Sequence, residues 1–479
     1  MKKIYRILAI SLLIVISMTS RAQNDGVTFS LMPQMPYQNF FNPGIRVSYK
    51  GVVGLGISNV SFAAYNSGLK YGNIYSTDEN GDMYIDGVKF VDGLKEQGNC
   101  LNSTFSIDLL NVGFRVKKLF FNIDWRIRMD EELLYSKDFV GFFFRGNGNY
   151  LGADNPIDFN VGMSLTAFSE IGVGVQYDIN DRLTVGVRPK VLFGVLNASA
   201  NNERTKIYTD PDDYSMTADV SLDIHAASII KTNLYRISDV FDLANVFDFA
   251  SNSLSDLIDI KENVGFGIDF GASYLINRHF GVAAGVRDLG FIKWRNSKTK
   301  AKNVDNTVLN EGIVDEIEDV FEFKLDYNTM LDEVVKNVWG NDSLTDGDDY
   351  VTNLNSNVNI QGYYELNPML RITLLGQLKF AKNDKWPSLT LAYSGSFARF
   401  LNLTASYTVS KYSGNALGAG VAFHFGPVNI YAVTDNIMLL SKIGKSTVEM
   451  ATSYNSANVR CGVVITIGSY QKISDRLGK

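Results

Sequence analysis

The sequence predicts an all-β fold, a transmembrane antiparallel β-barrel of about 14 strands with a plug-like amino-terminal segment and short helices in long loops. Three observations predict it. Apolar residues alternate with small or polar ones in segments of ten or more residues, longer than the ~5–6 of globular strands and close to the ~9–11 that cross a bilayer at a tilt. An export signal leads the chain, and no later apolar run is long enough for a membrane helix. Glycine, tyrosine and phenylalanine number 41, 24 and 30 against nine prolines and two cysteines, which suits closely spaced strands with aromatic girdles.

Residues 1–22 read as a secretory signal peptide. Lys2, Lys3 and Arg6 form a basic start, Ile7 to Met18 is an apolar core broken only by Ser11 and Ser17, and Ser20-Arg21-Ala22 is a small-x-small cleavage site. The apolar run falls short of the ~18 residues that span a bilayer as a helix. Residues 23–479 then form a single outer-membrane β-barrel domain, with 23–50 as a candidate plug segment. Loss of Lys2, Lys3, Arg6 and Arg21 moves the formal charge from −6 to −10. An acidic mature chain disfavours nucleic acid as a partner.

Strands follow in order. Lys50 to Val60 carries Gly51, Gly54 and Gly56. From Leu119, the residues Leu119, Phe121, Ile123, Trp125 and Ile127 oppose Asn122, Asp124, Arg126 and Arg128. Phe159 to Tyr177 keeps one parity apart from Phe168, and a turn at Asn180-Asp181 leads to Val185, Val187, Val191, Phe193 and Val195 opposite Arg188 and Lys190. Phe266, Ile268, Phe270, Ala272 and Tyr274 oppose Asp269 and Ser273, with a turn at Asn277-Arg278 before Val282, Ala284 and Val286. Leu370 to Ile437 holds several strands in succession. The clearest sets Leu401, Leu403, Ala405, Tyr407 and Val409 against Asn402, Thr404, Ser406, Thr408 and Ser410. The last places Val459, Cys461, Val463, Ile465 and Ile467 opposite Arg460 and Thr466. Polar inserts lie at 198–214, 231–262 and 295–356, and within the last two the stretches Ile237 to Phe247 and Leu331 to Trp339 follow helical spacing.

The early Asn39-Phe40-Phe41-Asn42-Pro43 run followed by a glycine-rich strand resembles the start of an uncharacterised family of Bacteroidota outer-membrane barrels, distantly similar to barrels of the long-chain fatty-acid transporter type. Phe168 to Gly174, Val185 to Gly194, Asp288 to Trp294 and Tyr431 to Asn436 fit the same family in the same order. The resemblance implies a fold, an outer-membrane location and a small hydrophobic ligand, and assigns no activity.

Charges on the polar faces must meet water or partners inside a barrel. The candidate lumen-lining residues are Asp124, Arg126, Arg128, Glu170, Arg188, Lys190, Asp269, Arg287, Lys379, His424 and Arg460. They make either an ion-paired interior or a polar passage. Three histidines, His225, His279 and His424, are dispersed, so neither a catalytic triad nor a zinc site assembles from them. Asp78, Asn80 and Asp82 start like a calcium loop, but the glycine falls early and Lys89 stands where a glutamate is needed. Asp346-Gly347-Asp348-Asp349 reads as a surface loop, Cys100 as a loop residue, and Cys461 as a residue of the apolar face. No catalytic, metal-binding or cofactor-binding residue is expected. The expected function is a channel or transporter for a small hydrophobic molecule. The alternative is a structural or secretion-accessory barrel that binds other envelope proteins through its loops.

Overall fold

The computed structural model describes residues 26–469 apart from 34, 68–74, 78–82, 97, 203, 213–214, 229–262, 296, 310–343, 368, 381–384, 398–399, 411–413 and 438–455. The signal peptide, the Asp78 loop and the stretches of helical spacing at 237–247 and 331–339 lie outside those residues. Fourteen long strands close on themselves: β1 (Tyr49–Asn66), β2 (Asn99–Val116), β3 (Leu119–Tyr135), β4 (Val161–Asp178), β5 (Leu183–Asn202), β6 (Val264–Leu275) and β7 (Phe280–Trp294), then β8 (Ser356–Asn367), β9 (Leu370–Phe380), β10 (Lys385–Phe397), β11 (Leu401–Ser410), β12 (Gly414–Phe425), β13 (Val428–Thr434) and β14 (Ser456–Ser469). Each pairs antiparallel with the next, and β14 pairs back to β1 through Gly51↔Ile467 and Val60↔Cys461. Closure leaves no edge of unpaired backbone groups, as the interior of a bilayer requires.

One end carries two- to four-residue turns such as 117–118, 179–182 and 276–279, and the other carries the long connections. Above the long-loop rim, β5 continues into a small sheet with strands Lys206–Thr209, Met216–Ser228 and Lys298–Leu309. The insert expected at 198–214 is thus largely strand, because β5 runs on to Asn202. Two short helices occupy long loops, α2 (Gly87–Asp92) and α3 (Lys137–Arg145), after α1 (Val27–Leu31) near the amino end. Asp86 caps α2 by accepting from the Lys89 amide at 2.9 Å, and Ser136 caps α3 by accepting from Phe139 at 3.1 Å. The two helices meet through Phe90 and Phe144, with ring centroids 5.9 Å apart.

The alternation sorts side chains by face. On β11, Leu403 is 42% exposed while Asn402 and Ser406 are each 4% exposed. Val187 on β5 and Ile465 on β14 point outward, and Arg188, Lys190 and Arg460 point inward. Large apolar side chains stand exposed around the whole outer wall, among them Ile57, Phe114, Ile123, Phe266, Ile360, Leu389, Phe425 and Ile467. A surface this apolar suits contact with lipid far better than contact with water.

The main apolar core lies inside the barrel. Residues 26–33 and 35–48 run through the interior, where Phe29, Met32, Met35, Tyr37, Phe40 and Phe41 pack with inward residues of β1, β3, β12, β13 and β14. Because irregular backbone in a dry interior needs partners, wall side chains supply them. Asp435, just past β13, accepts from the amides of Gly26, Val27 and Thr28 at 3.0, 3.2 and 2.8 Å, which replaces the missing side-chain cap of α1. Gln176 donates to the carbonyls of Pro43 and Ile45 and accepts from the Val47 amide. Asn359 donates to the Phe41 carbonyl at 3.1 Å.

Candidate functional site

Six neighbouring strands aim a charge cluster at the barrel axis. Arg188 of β5 is 1% exposed; its Nη1 reaches Asp269 at 2.7 Å, its Nη2 reaches Glu170 at 2.6 Å, and its guanidinium also forks onto Asp124. Lys190 contacts Asp269 at 2.8 Å and Asp288 at 2.5 Å. Arg128 contacts Asp288 at 2.8 Å and Glu170 at 3.4 Å, while Arg126 contacts Asp108 at 2.7 Å. Arg287 completes the set 3.9 Å from Asp288. Asp108, Asp124, Glu170, Asp269 and Asp288 thus match Arg126, Arg128, Arg188, Lys190 and Arg287 in number, and Asp130 adds a further carboxylate 3.8 Å from Arg128. Glycine at 172 makes room for the cluster, since a Cβ there would lie 2.6 Å from the Arg188 guanidinium.

The amino-terminal segment covers this cluster with aromatic rings. Phe40 lies under the guanidinium groups of Arg126 and Arg188, at 4.1 and 5.1 Å, and Phe41 lies 5.1 Å from both Arg287 and Arg460. Arg460 sits between Phe29 and Phe41 and donates to Ser61 at 3.1 Å. Next along the segment, Asn42, Pro43 and Gly44 press on inward-facing glycines of adjacent strands. A Cβ at Gly186 would meet the Pro43 carbonyl oxygen at 2.0 Å, and one at Gly271 would meet Asn42 Oδ1 at 2.0 Å. This seat is a turn of the kind an Asn-Pro step favours, in which Asn42 Oδ1 accepts from the Gly44 amide at 2.8 Å.

Cavities lie on both sides of the cluster and the segment. The outer one, at the long-loop end, has a volume of about 770 Å³ and is lined by Asn102, Thr104, Asp130, Glu132, Phe168, Tyr350, Lys379 and Trp386, with Asp288 of the cluster among its walls. The inner one, at the short-turn end, holds about 150 Å³ between residues such as Leu31, Ile45, Arg46, Tyr274, Tyr363, Met369 and Arg371.

Of the eleven residues chosen from sequence, Asp124, Arg126, Arg128, Glu170, Arg188, Lys190, Asp269 and Arg287 come together in the cluster. The other three stand apart. Lys379 lines the outer cavity with its ammonium 5.5 Å from the Trp386 ring, and Arg460 stands on β14 beyond the cluster's strands, sharing the Phe41 ring with Arg287. His424 bonds to Asn402 and Asn429 near the short-turn end. Sequence reasoning missed Asp108 and Asp288, and both stand beside β-bulges. The register shifts at Leu109, and residues 287 and 288 together face Asp269, with Asp288 at φ 61° and its amide donating to Asp269 at 2.6 Å. Broken alternation, Leu109-Leu110 in one case and Arg287-Asp288 in the other, was the available signal.

Cys100 is not a loop residue: it is buried at the start of β2, where its amide donates to Ser67. Both cysteines are free thiols, and Cys461 is exposed on the outer face. His225 lies between Asp223 and Thr299, but the Thr299 hydroxyl donates to the Ile224 carbonyl and so offers its proton elsewhere.

A closed 14-stranded barrel with an apolar exterior and a charged, occupied interior defines a membrane β-barrel. The chain belongs to a family of unknown function, DUF5723, whose model matches residues 43–435. No curated protein matches it. Among solved structures it is similar to the toluene transporter TodX of Pseudomonas putida, with 8% identity, a TM-score of 0.41 and coverage of 93% of this chain and 94% of that one. A Pseudomonas aeruginosa FadL homologue matches with 9% identity, a TM-score of 0.44 and coverage of 94% and 99%. At such identities nothing about substrate carries over, and the strand register itself establishes the fold.

Proposed function

We propose that the chain is an outer-membrane channel or transporter for a small molecule with an apolar body, with its amino-terminal segment acting as a plug. The observation that carries this reading is the pair of cavities on opposite sides of a segment held by side-chain contacts instead of strand pairing. Short turns would face the periplasm and long loops the exterior. Phe168, Tyr350 and Trp386 in the outer cavity and Leu31, Ile45 and Met369 in the inner one favour an apolar solute body. The partners under this reading are outer-membrane lipid and that solute. An enzyme is disfavoured by the histidine environments described above.

Single-channel recording tests it. Gly186→Leu puts a side chain where the Pro43 carbonyl lies and should unseat the segment, raising conductance several-fold over the wild-type barrel. Removing residues 26–47 should do the same, at greater risk to folding because the core goes with them. Unchanged conductance in folded Gly186→Leu would refute the plug. The alternative of a barrel that binds other envelope proteins is favoured by the sheet standing above the long-loop rim. Capture of an envelope protein by a wild-type barrel that never conducts would select it.

A further inference from the structure

Asn102 of β2 lines the outer cavity and is 4% exposed, yet its Nδ2 has no hydrogen-bond partner among the described residues. Buried donors are nearly always paired, and leaving one without an acceptor is unfavourable, so this group calls for a partner from outside the chain. Its surroundings narrow the chemistry. Glu132 stands opposite Asn102 across the β2–β3 ladder and Asp130 opposite Thr104, so carboxylates and a hydroxyl flank the donor. The Tyr350 and Trp386 side chains also line the cavity.

We propose that the outer cavity binds the sugar portion of a small glycoside, whose aglycone is the apolar body of the channel reading. A hydroxyl both donates and accepts, so one kind of group can serve the Asn102 amide and the carboxylates of Asp130 and Glu132 together. An arene supplies neither bond, and an ammonium supplies only donors. The C–H faces of a sugar ring pack on aromatic side chains, which Tyr350 and Trp386 provide. The volume of about 770 Å³ falls within the ~300–1,000 Å³ of small-molecule sites. The proposal deepens the channel reading, on which it rests for the cavity being the entrance.

The full chain, in micelles of a detergent without a sugar headgroup, would be titrated calorimetrically with glucose, maltose and cellobiose, and with choline chloride and toluene as comparisons. At least one sugar should bind saturably and more tightly than either comparison. Asn102→Leu is close in size, removes the donor and adds no charge, and it should weaken that sugar tenfold or more. If Asn102→Leu fails to fold, Thr104→Val at the same wall takes its place. Failure of all three sugars, equal binding of toluene or choline, or undiminished sugar binding by the folded variant would overturn the proposal. Sugar binding by a barrel that does not conduct would leave this site standing and remove the channel, and conductance without sugar binding would do the reverse.

Discussion

Glu170→Gln is expected to remove about 3–5 kcal/mol of folding stability, the scale for breaking a buried ion cluster by deleting one partner. Glu170 is 0% exposed and stands 2.6 Å from Arg188, 3.4 Å from Arg128, 3.7 Å from Lys190 and 3.8 Å from Arg126. Without it, four cations share the remaining carboxylates in an interior the segment shields from water. Those cations come from β3 and β5, so the loss falls on the wall between them. Urea unfolding of the barrel in lipid bilayers measures the change. The double variant Glu170→Gln with Arg188→Gln restores the charge balance and should recover part of the loss, a coupling that two independent sites would not show. A change of about 1 kcal/mol or less for Glu170→Gln, the scale of an exposed pair, would mean that water reaches the cluster.

The barrel was legible in the sequence because one physical constraint acts on every strand. Lipid excludes charge from one face and the period of two does the sorting, so Leu403 and Asn402 reveal their sides without knowledge of any neighbour. The inward charges were legible for the same reason, which is how eight of the cluster residues could be named from parity alone. Parity fails where a bulge adds a residue, and Asp108 and Asp288 were lost at such points. The segment over the cluster was only partly legible. Phe40 and Phe41 carry no periodic signal, and their place beneath Arg126 and Arg287 follows from tertiary contacts distant in sequence. Asn102 was not legible at all, since whether an amide is partnered depends on packing around it.

Arginine at position 405 should cost ~2–4 kcal/mol in bilayers, because Ala405 points outward from the middle of β11 and the cost of a charge is greatest at the bilayer midplane. The same change at Val409, nearer the end of the strand, should cost only ~0–1 kcal/mol, since the penalty falls toward the interface. Position 406 behaves differently from what an open lumen would predict. In an open lumen an inward arginine would mainly alter pore polarity, but the Ser406 hydroxyl lies 2.7 Å from the Thr28 hydroxyl and the side chain is 4% exposed. Ser406→Arg must therefore push α1 aside, an overpacking cost of ~1–3 kcal/mol, and should expose residues 26–48 to protease. Ala405→Arg should leave those residues protected while lowering the stability of the wall itself. Urea unfolding in bilayers and limited proteolysis of the three variants separate these effects. Stability of Ala405→Arg equal to wild type would show that the apolar outer face does not meet lipid, and protection of the amino-terminal segment in folded Ser406→Arg would show that α1 is not seated against β11.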